Sequence, residues 1–344
     1  MPKVRCILVG LGNLGRRFCE IAERKADLLR SRYGLELQLV AAADSRGAAA
    51  DPQGLDWATV VQLKQAGKSI ADYPVCGRVG WRAQDLVADV EADVLLEVAP
   101  VNLALGGQPG LDCVRTALRR GMHVVTANKA PIVLAYAELQ ALARAAGRQL
   151  RFDGTVAGGL PALYIGERDL RGATIFRLEA VPNLVTGYIM DLLTEGQPWE
   201  EALEQARAEG VLEADASWDL DGWDAAAKLV ILANAVLGFP ARLEDVARTG
   251  IQGLDQAELR DARSRGYRYR LLARAEWRGE QGYALSVAPV PLSADHPLGR
   301  LGHKQMGVVY HTDIYGTLTA IIEEPDPVPS AATLLRDLLA IYVP

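Results

Sequence analysis

With 344 residues, half of them hydrophobic and 23% charged, the chain is long enough for two domains with substantial cores and has the composition of a soluble globular protein. Its 43 acidic residues outnumber 37 basic ones, and the formal net charge of −6 argues against a nucleic-acid or anionic-membrane surface. No run of about 18 apolar residues offers a bilayer-spanning helix, and MPKVRCILVGLG enters a strand-like run without the pattern of a signal peptide, so the cytoplasm is the expected compartment.

Apolar runs of strand character alternate with helical stretches through the first 150 residues. RCILVG (5–10), LQLVAAAD (37–44), ADVLLEVAP (92–100) and MHVVTAN (122–128) read as buried strands, with helices at 14–30, 110–120 and 135–146. This alternation predicts a parallel sheet with crossover helices on its faces. A glycine-rich turn in GRQLRFDGTVAGGLPAL (147–163) changes the texture. Beyond it the chain reads as a strand at 174–181, helices at 185–195, 199–209 and 222–238, alternating strands at 266–278 and 281–289, a hairpin at 307–322 and a closing helix at 330–342. YRYRLLARAEW, within the first alternating strand, suits a half-exposed sheet better than a ligand site. The predicted fold is α/β. A Rossmann-type parallel-sheet domain (1–150, completed by about 323–344) carries a second α/β domain (151–322).

In LVGLGNLGRRF, Gly10, Gly12 and Gly15 follow the first strand and open a helix, which is the G-x-G-x-x-G of a dinucleotide site in its required context. The first glycine allows the tight turn and the second lets the backbone approach a pyrophosphate. The third permits close helix–strand packing. Asn13 and Leu14 fall at the helix N-terminus, where backbone N–H groups attract the anion. The second strand ends in Asp44, suited to ribose hydroxyls, with Arg46 two residues on for a 2′-phosphate and Lys64 or Lys68 as further cations. NAD and NADP are both open on these residues.

VVTANKAP (124–131) puts Lys129 just past the carboxyl end of a buried strand, with Thr126 and Asn128 beside it, and EVAP (97–100) ends a neighbouring strand at the same edge. Ligands bind at that edge in open parallel sheets. A second lysine, Lys228, is the only charge between Ala225 and Leu237, one helical turn after Asp224. It is either half of an i,i+4 ion pair or a buried base. Asp221 reads equally as a helix N-cap with Asp224 completing a capping box. Cys6, Cys19, Cys76 and Cys113 lack CxxC spacing and the four histidines are dispersed, which points away from zinc and from a disulfide framework.

The segments GLGNLGRRF, DSRG, HVVTANKAP, DGTVAGGLPAL, EADASWDLDGWDAAAKL and DVARTGI, in this order over nearly the whole length, resemble homoserine dehydrogenases, most closely the short form without a regulatory domain. The resemblance implies NAD(P)-dependent interconversion of L-homoserine and L-aspartate 4-semialdehyde. Lys129 and Lys228 would flank the reacting hydroxyl or carbonyl, while Glu213, Asp219 and Asp224, with Thr186, would hold the amino-acid substrate. Asp153 and the carbonyls of Val156, Gly158 and Leu160 would lie where the family holds a structural Na+ or K+, with aspartate replacing the family's glutamate. A homodimer through the second domain's sheet is also implied. The chemistry is coherent, because a lysine can exchange a proton in both directions if burial and a second nearby cation bring its pKa towards neutrality.

Three places depart from the family pattern. NLVTGYI (183–189) has Leu184-Val185 where a small, polar Gly-Thr pair is usual, Val211 replaces an aromatic residue, and EEPDPVPSAA (323–332) brings Glu323, Glu324 and Asp326 to a segment that is usually glycine-rich. These departures leave two alternatives beside homoserine. One is a dehydrogenase for a related, more apolar hydroxy or amino acid, and the other is a catalytically silent cofactor-binding homologue.

Overall fold

The computed structural model describes residues 3–209, 211–212 and 216–343. The chain divides into two compact units, one running to Gly159 and resuming at Asp326, the other Leu160–Pro325.

The first unit contains β1 (Lys3–Val9), α1 (Asn13–Tyr33), β2 (Glu36–Asp44), β3 (Gly47–Ala50), α2 (Trp57–Gln65), β4 (Gly77–Val79), α3 (Ala83–Asp89), β5 (Val94–Glu97), α4 (Gly110–Arg119), β6 (His123–Thr126), α5 (Lys129–Ala145) and β7 (Leu150–Arg151). Its sheet runs β4-β3-β2-β1-β5-β6-β7. The five strands from β2 to β7 in that order pair in parallel. Here β1 and β5 are buried on both faces, which is why they read as unbroken apolar runs. The wholly parallel sheet expected from the sequence is extended by an antiparallel edge, β3 and β4. Only Ser45 and Arg46 separate β2 from β3, and so short a connection can fold back but cannot cross over. The closing helix, Val328–Tyr342, puts Leu334 and Leu338 into the same core as Cys6, Leu8, Phe18, Leu39 and Val125.

α5 begins at Lys129, earlier than its periodicity suggested. Its backbone breaks at Ala135 (φ −142°), where the apolar pattern had placed the start. The six residues before the break escape the pattern because Pro131 and the capping Asn128 define that first segment instead.

The second unit contains α6 (Ala162–Tyr164), β8 (Ile175–Val181), α7 (Leu184–Thr194), α8 (Trp199–Ala208), α9 (Ser217–Leu220), α10 (Trp223–Ala235), β9 (Val246–Arg248), α11 (Gln256–Ser264), β10 (Tyr267–Trp277), β11 (Tyr283–Ser293), β12 (Gln305–Thr312) and β13 (Thr317–Glu323). Its sheet order is β13-β12-β8-β10-β11-β9, antiparallel except for the β11–β9 pair. α10 is buried around most of its circumference, as its nearly all-apolar sequence requires. β10 is less exposed than its alternation of Tyr and Arg suggests: Arg270 is 1% exposed. Its guanidinium is held 2.9 Å from Asp191 Oδ1 of α7 and donates to the Leu301 carbonyl at 2.6 Å. A buried arginine persists there because a carboxylate and a carbonyl replace the water it loses.

Candidate active site

In the first unit the β1–α1 turn is shaped for close approach of an anion. Gly10 has φ +98°, and a Cβ on it would lie 2.5 Å from the Val98 backbone. Around a Cβ built on Gly12, the N-cap of α1, there is open space, and no side chain caps that terminus. The first turn, beginning Asn13-Leu14, holds no acidic residue, so its N–H groups meet no competing negative charge. The Asn13 side chain points away along the helix, accepting from Arg17 Nε at 2.9 Å. These features fit a bound pyrophosphate.

At the end of β2, Asp44 Oδ1 accepts from Ser69 Oγ (2.7 Å) and the Arg46 N–H (3.0 Å), while Oδ2 accepts from Lys64 Nζ (2.7 Å) and the Ile70 N–H (3.0 Å). Burial pushes this carboxyl up, but the four donors outweigh it and hold its pKa at about 2. All four acceptor positions of the carboxylate are thus filled, and ribose hydroxyls reach it only by displacing Lys64 or Ser69. Arg46 directs its guanidinium to the Gly67 carbonyl at 3.1 Å. Lys64, expected as a cation for a 2′-phosphate, is paired with Asp44 instead, and Ser69 had no signal in the sequence that tied it to Asp44, since that link runs through the fold.

The β6–α5 turn holds Thr126, Asn128 and Lys129. Thr126 and Asn128, 0% and 2% exposed, turn their side chains inward to Glu97 at the end of β5. The Asn128 side chain also caps α5 by accepting from the Ala130 N–H at 3.0 Å. Lys129 is therefore the first residue of a helix, where the positive end of the dipole disfavours a cation. Stability alone does not select that placement. Glu97 went unassigned in the sequence reading; its signal was a lone charge closing the apolar run VLLE.

Asp153, where a monovalent cation was expected, is 2% exposed, and its carboxylate is in contact with the Arg336 guanidinium. Arg336 also donates to the Gly159 carbonyl at 2.8 Å. Val156 is buried, Gly158 is left-handed (φ +54°), and in the second unit the Leu160 carbonyl accepts from the Ala162 N–H at 2.8 Å.

The second unit gathers Asp219, Asp224 and Lys228 around a residue the sequence reading did not single out, Asn183. Its amide donates to Asp219 Oδ1 at 2.5 Å and to Asp224 Oδ2 at 2.7 Å, and its Oδ1 caps α7 by accepting from the Thr186 N–H at 3.1 Å. Lys228 Nζ lies 2.8 Å from Asp224 Oδ2 and 2.6 Å from the Pro182 carbonyl. The i,i+4 pair and the buried lysine are thus one arrangement. Asp221 does not cap α10. Gly222 does, at φ +80°, while Asp221 closes α9 and accepts from Gln252. With the cap made by backbone, Asp224 is left to Asn183 and Lys228. The spacing N-x-x-T of a side-chain cap was the available signal for Asn183. Leu184 and Val185 occupy the first turn of α7 and are half-buried. Glu213 lies outside the described residues.

Two family models match: one described as "Homoserine dehydrogenase, NAD binding domain" over residues 10–153, and "Homoserine dehydrogenase" over 161–339. A homoserine dehydrogenase of Methanocaldococcus jannaschii is 34% identical over 98% of this chain and 98% of its own. An NAD(+)-dependent homoserine dehydrogenase of Pseudomonas canavaninivorans is 30% identical over 99% and 97%. Among solved structures, a hyperthermophilic archaeal homoserine dehydrogenase in complex with NADPH matches with a TM-score of 0.85 at 28% identity, over 99% of this chain and 98% of that one.

Proposed function

The chain belongs to the homoserine dehydrogenase family, and on that premise we propose how its residues divide the work of the reaction. It is an NAD(P)-dependent oxidoreductase that interconverts L-homoserine and L-aspartate 4-semialdehyde. The single observation that carries the assignment of residues is the hydrogen-bonded Asn183–Asp219–Asp224–Lys228 cluster, with Asn183 and Asp224 buried and Asp219 and Lys228 half-buried, which suits a substrate bearing both an ammonium and a hydroxyl.

Bound NAD(P) supplies the hydride acceptor in one direction and the donor in the other. Gly10, Gly12 and Gly15, with the N–H groups of Asn13 and Leu14, hold its pyrophosphate. Lys64, Ser69 and Arg46, arranged on Asp44, face its ribose. Thr126 and Asn128 present the backbone of their turn, since their side chains are committed to Glu97. Lys129 and Lys228 handle the proton. The hydroxyl proton passes to lysine nitrogen as hydride leaves the carbinol carbon, and returns to the alkoxide in the reverse reaction. Asp219 and Asp224, with Glu213, hold the substrate's ammonium and hydroxyl, and Thr186 lies in the turn facing them. Arg336 supplies positive charge at Asp153, where the family resemblance places a structural Na+ or K+.

A homodimer through the six-stranded sheet of the second unit and a cytoplasmic location complete the proposal. No described helix is long and apolar enough to cross a membrane. Light scattering on the purified chain tests the dimer by its mass. For the chemistry, the test is steady-state oxidation of L-homoserine with NAD+ and with NADP+, using wild type, Lys129→Ala and Lys228→Ala. Each substitution is expected to lower kcat by about 10²–10⁴-fold, and unchanged turnover in either would remove that lysine from the mechanism. The half-buried Leu184 and Val185 favour, as a second reading, a more apolar hydroxy or amino acid. A higher kcat/KM for such a substrate than for homoserine would decide for it.

A further inference from the structure

Glu97 has no exposed surface, and its hydrogen bonds run to Ala99, Thr126 and Asn128. Its Oε1 accepts from the Ala99 N–H at 2.9 Å and from Asn128 Nδ2 at 3.2 Å, and its Oε2 from the Thr126 hydroxyl at 2.9 Å. Two of these bonds reach across to the β6–α5 turn, and that turn is itself closed by a relay. The Thr126 oxygen accepts from the Asn128 N–H at 3.0 Å, and Asn128 Oδ1 accepts from the Ala130 N–H at 3.0 Å. Lys129 lies inside this relay, between the residue that Glu97 grips and the N–H that Asn128 caps. Gly110 closes the remaining side: a Cβ there would stand 2.9 Å from Glu97 Oε1 and 2.5 Å from Asn128 Nδ2. A buried carboxyl surrounded by neutral donors is a poor choice for stability, because an apolar residue or an amide would cost less to bury. What the carboxyl provides, and an apolar residue cannot, is three acceptor contacts that fix one turn in one conformation.

We propose that Glu97 is a positioning residue of the dehydrogenase: through Thr126 and Asn128 it fixes the turn from which Lys129 leaves α5, and so the direction of the lysine's proton transfer. This rests on the dehydrogenase reading above and adds to it a group that acts through other residues. Removing the acceptors lets the turn relax. The lysine is then misplaced, while Asn183, Asp219, Asp224 and Lys228, to which the substrate is assigned, keep their own hydrogen bonds. The signature is a loss in kcat with KM for homoserine nearly unchanged.

The experiment measures kcat, both KM values and the folded fraction for wild type, Glu97→Leu, Glu97→Gln, Thr126→Val and the double variant Glu97→Leu/Thr126→Val. Glutamine keeps an acceptor for Ala99 and Asn128 and a donor for the Thr126 oxygen. Misplacement of a reacting group costs up to about 10²-fold, so we expect Glu97→Leu to lose about 30-fold in kcat per folded molecule, and Glu97→Gln to recover most of that. Thr126→Val is expected to lose about 10-fold alone and less than about 3-fold further in the Glu97→Leu background, because the two act through one contact. Should Glu97→Leu fail to fold, Thr126→Val against Glu97→Gln still decides, since positioning requires the first to lower kcat at constant KM for homoserine and the second to stay well above it. Equal kcat in all folded variants, or losses that multiply, would overturn the proposal while homoserine turnover by wild type leaves the dehydrogenase reading standing. Absence of turnover in wild type would overturn both.

Discussion

Asp44 and Glu97 close two parallel strands of one sheet at their carboxyl edge, Asp44 at the end of β2 and Glu97 at the end of β5 beside the β6–α5 turn, and their surroundings compensate them in opposite ways. Asp44 receives four hydrogen bonds, one from the Lys64 ammonium, and is held at about 2 although burial works against it. Glu97 receives three, all from neutral groups, and burial pushes it up to about 7 despite Asn128, Ala99 and Thr126 pulling the other way. The number of hydrogen bonds is similar, so it is the formal charge of the donor, together with complete burial, that separates them. The pair shows that the Asp44 carboxylate is part of an electrostatic latch with Lys64. The Glu97 carboxyl is a geometric fixture whose own charge is costly.

The two acids therefore contribute to stability on opposite sides of the pH scale, and the first way to break the comparison is to remove a charge. Glu97 has a folded pKa above its unfolded value. Its contribution is fully present below the unfolded value of 4.5 and is lost as pH rises through about 7. Denaturant titrations from acidic to mildly alkaline pH should show wild type losing on the order of 3 kcal/mol relative to Glu97→Gln. Parallel pH profiles for the two proteins would contradict the environment described for Glu97. Asp44 behaves in the opposite sense, stabilising above its unfolded value of 3.8 and losing that contribution as pH falls through about 2.

Taking away the latch's cation is the next largest effect. Lys64→Met leaves Asp44 with neutral donors only, making it resemble Glu97. We expect a loss of about 2 kcal/mol at neutral pH, smaller than for a fully buried pair because Lys64 is partly exposed, and an upward move of the Asp44 titration followed by carbon NMR. A sharper comparison comes from crowding the fixture without touching its charge. Gly110→Ala would put a methyl 2.5 Å from Asn128 Nδ2 and 2.9 Å from Glu97 Oε1 and force the amide to move by roughly 1 Å, at about 1–2 kcal/mol, and its kcat should fall further than its melting temperature predicts. The smallest effect is expected at Arg46→Ala, within about 0.5 kcal/mol, because the lost bond to Gly67 is exposed and the Arg46 N–H to Asp44 survives.

Much of this molecule is local in origin, and those parts the sequence determined by itself. The strand–glycine–helix turn at Gly10–Gly15 follows from backbone permissiveness and apolar runs. The order of β1, α1, β2, β5, α4 and β6 follows from periodicity, which left β3, α2, β4 and α3 unread, and the Asp224–Lys228 pair follows from i,i+4 spacing on one helix. The family likeness carried by HVVTANKAP and EADASWDLDGWDAAAKL was legible in the same way. The tertiary structure alone decided what each acid meets. Asp44 meets Lys64 and Ser69 from 20 and 25 residues away, Glu97 meets Thr126 and Asn128 across 29 and 31, and Asn183 reaches Asp224 across 41. It also decided that Gly222 rather than Asp221 caps α10, which leaves Asp224 to Asn183 and Lys228, and that Arg270 is buried against Asp191. The charge state of a carboxyl depends on its desolvation and on the sign of its neighbours. Both are set by packing between elements distant in the chain, where periodicity and spacing carry no information.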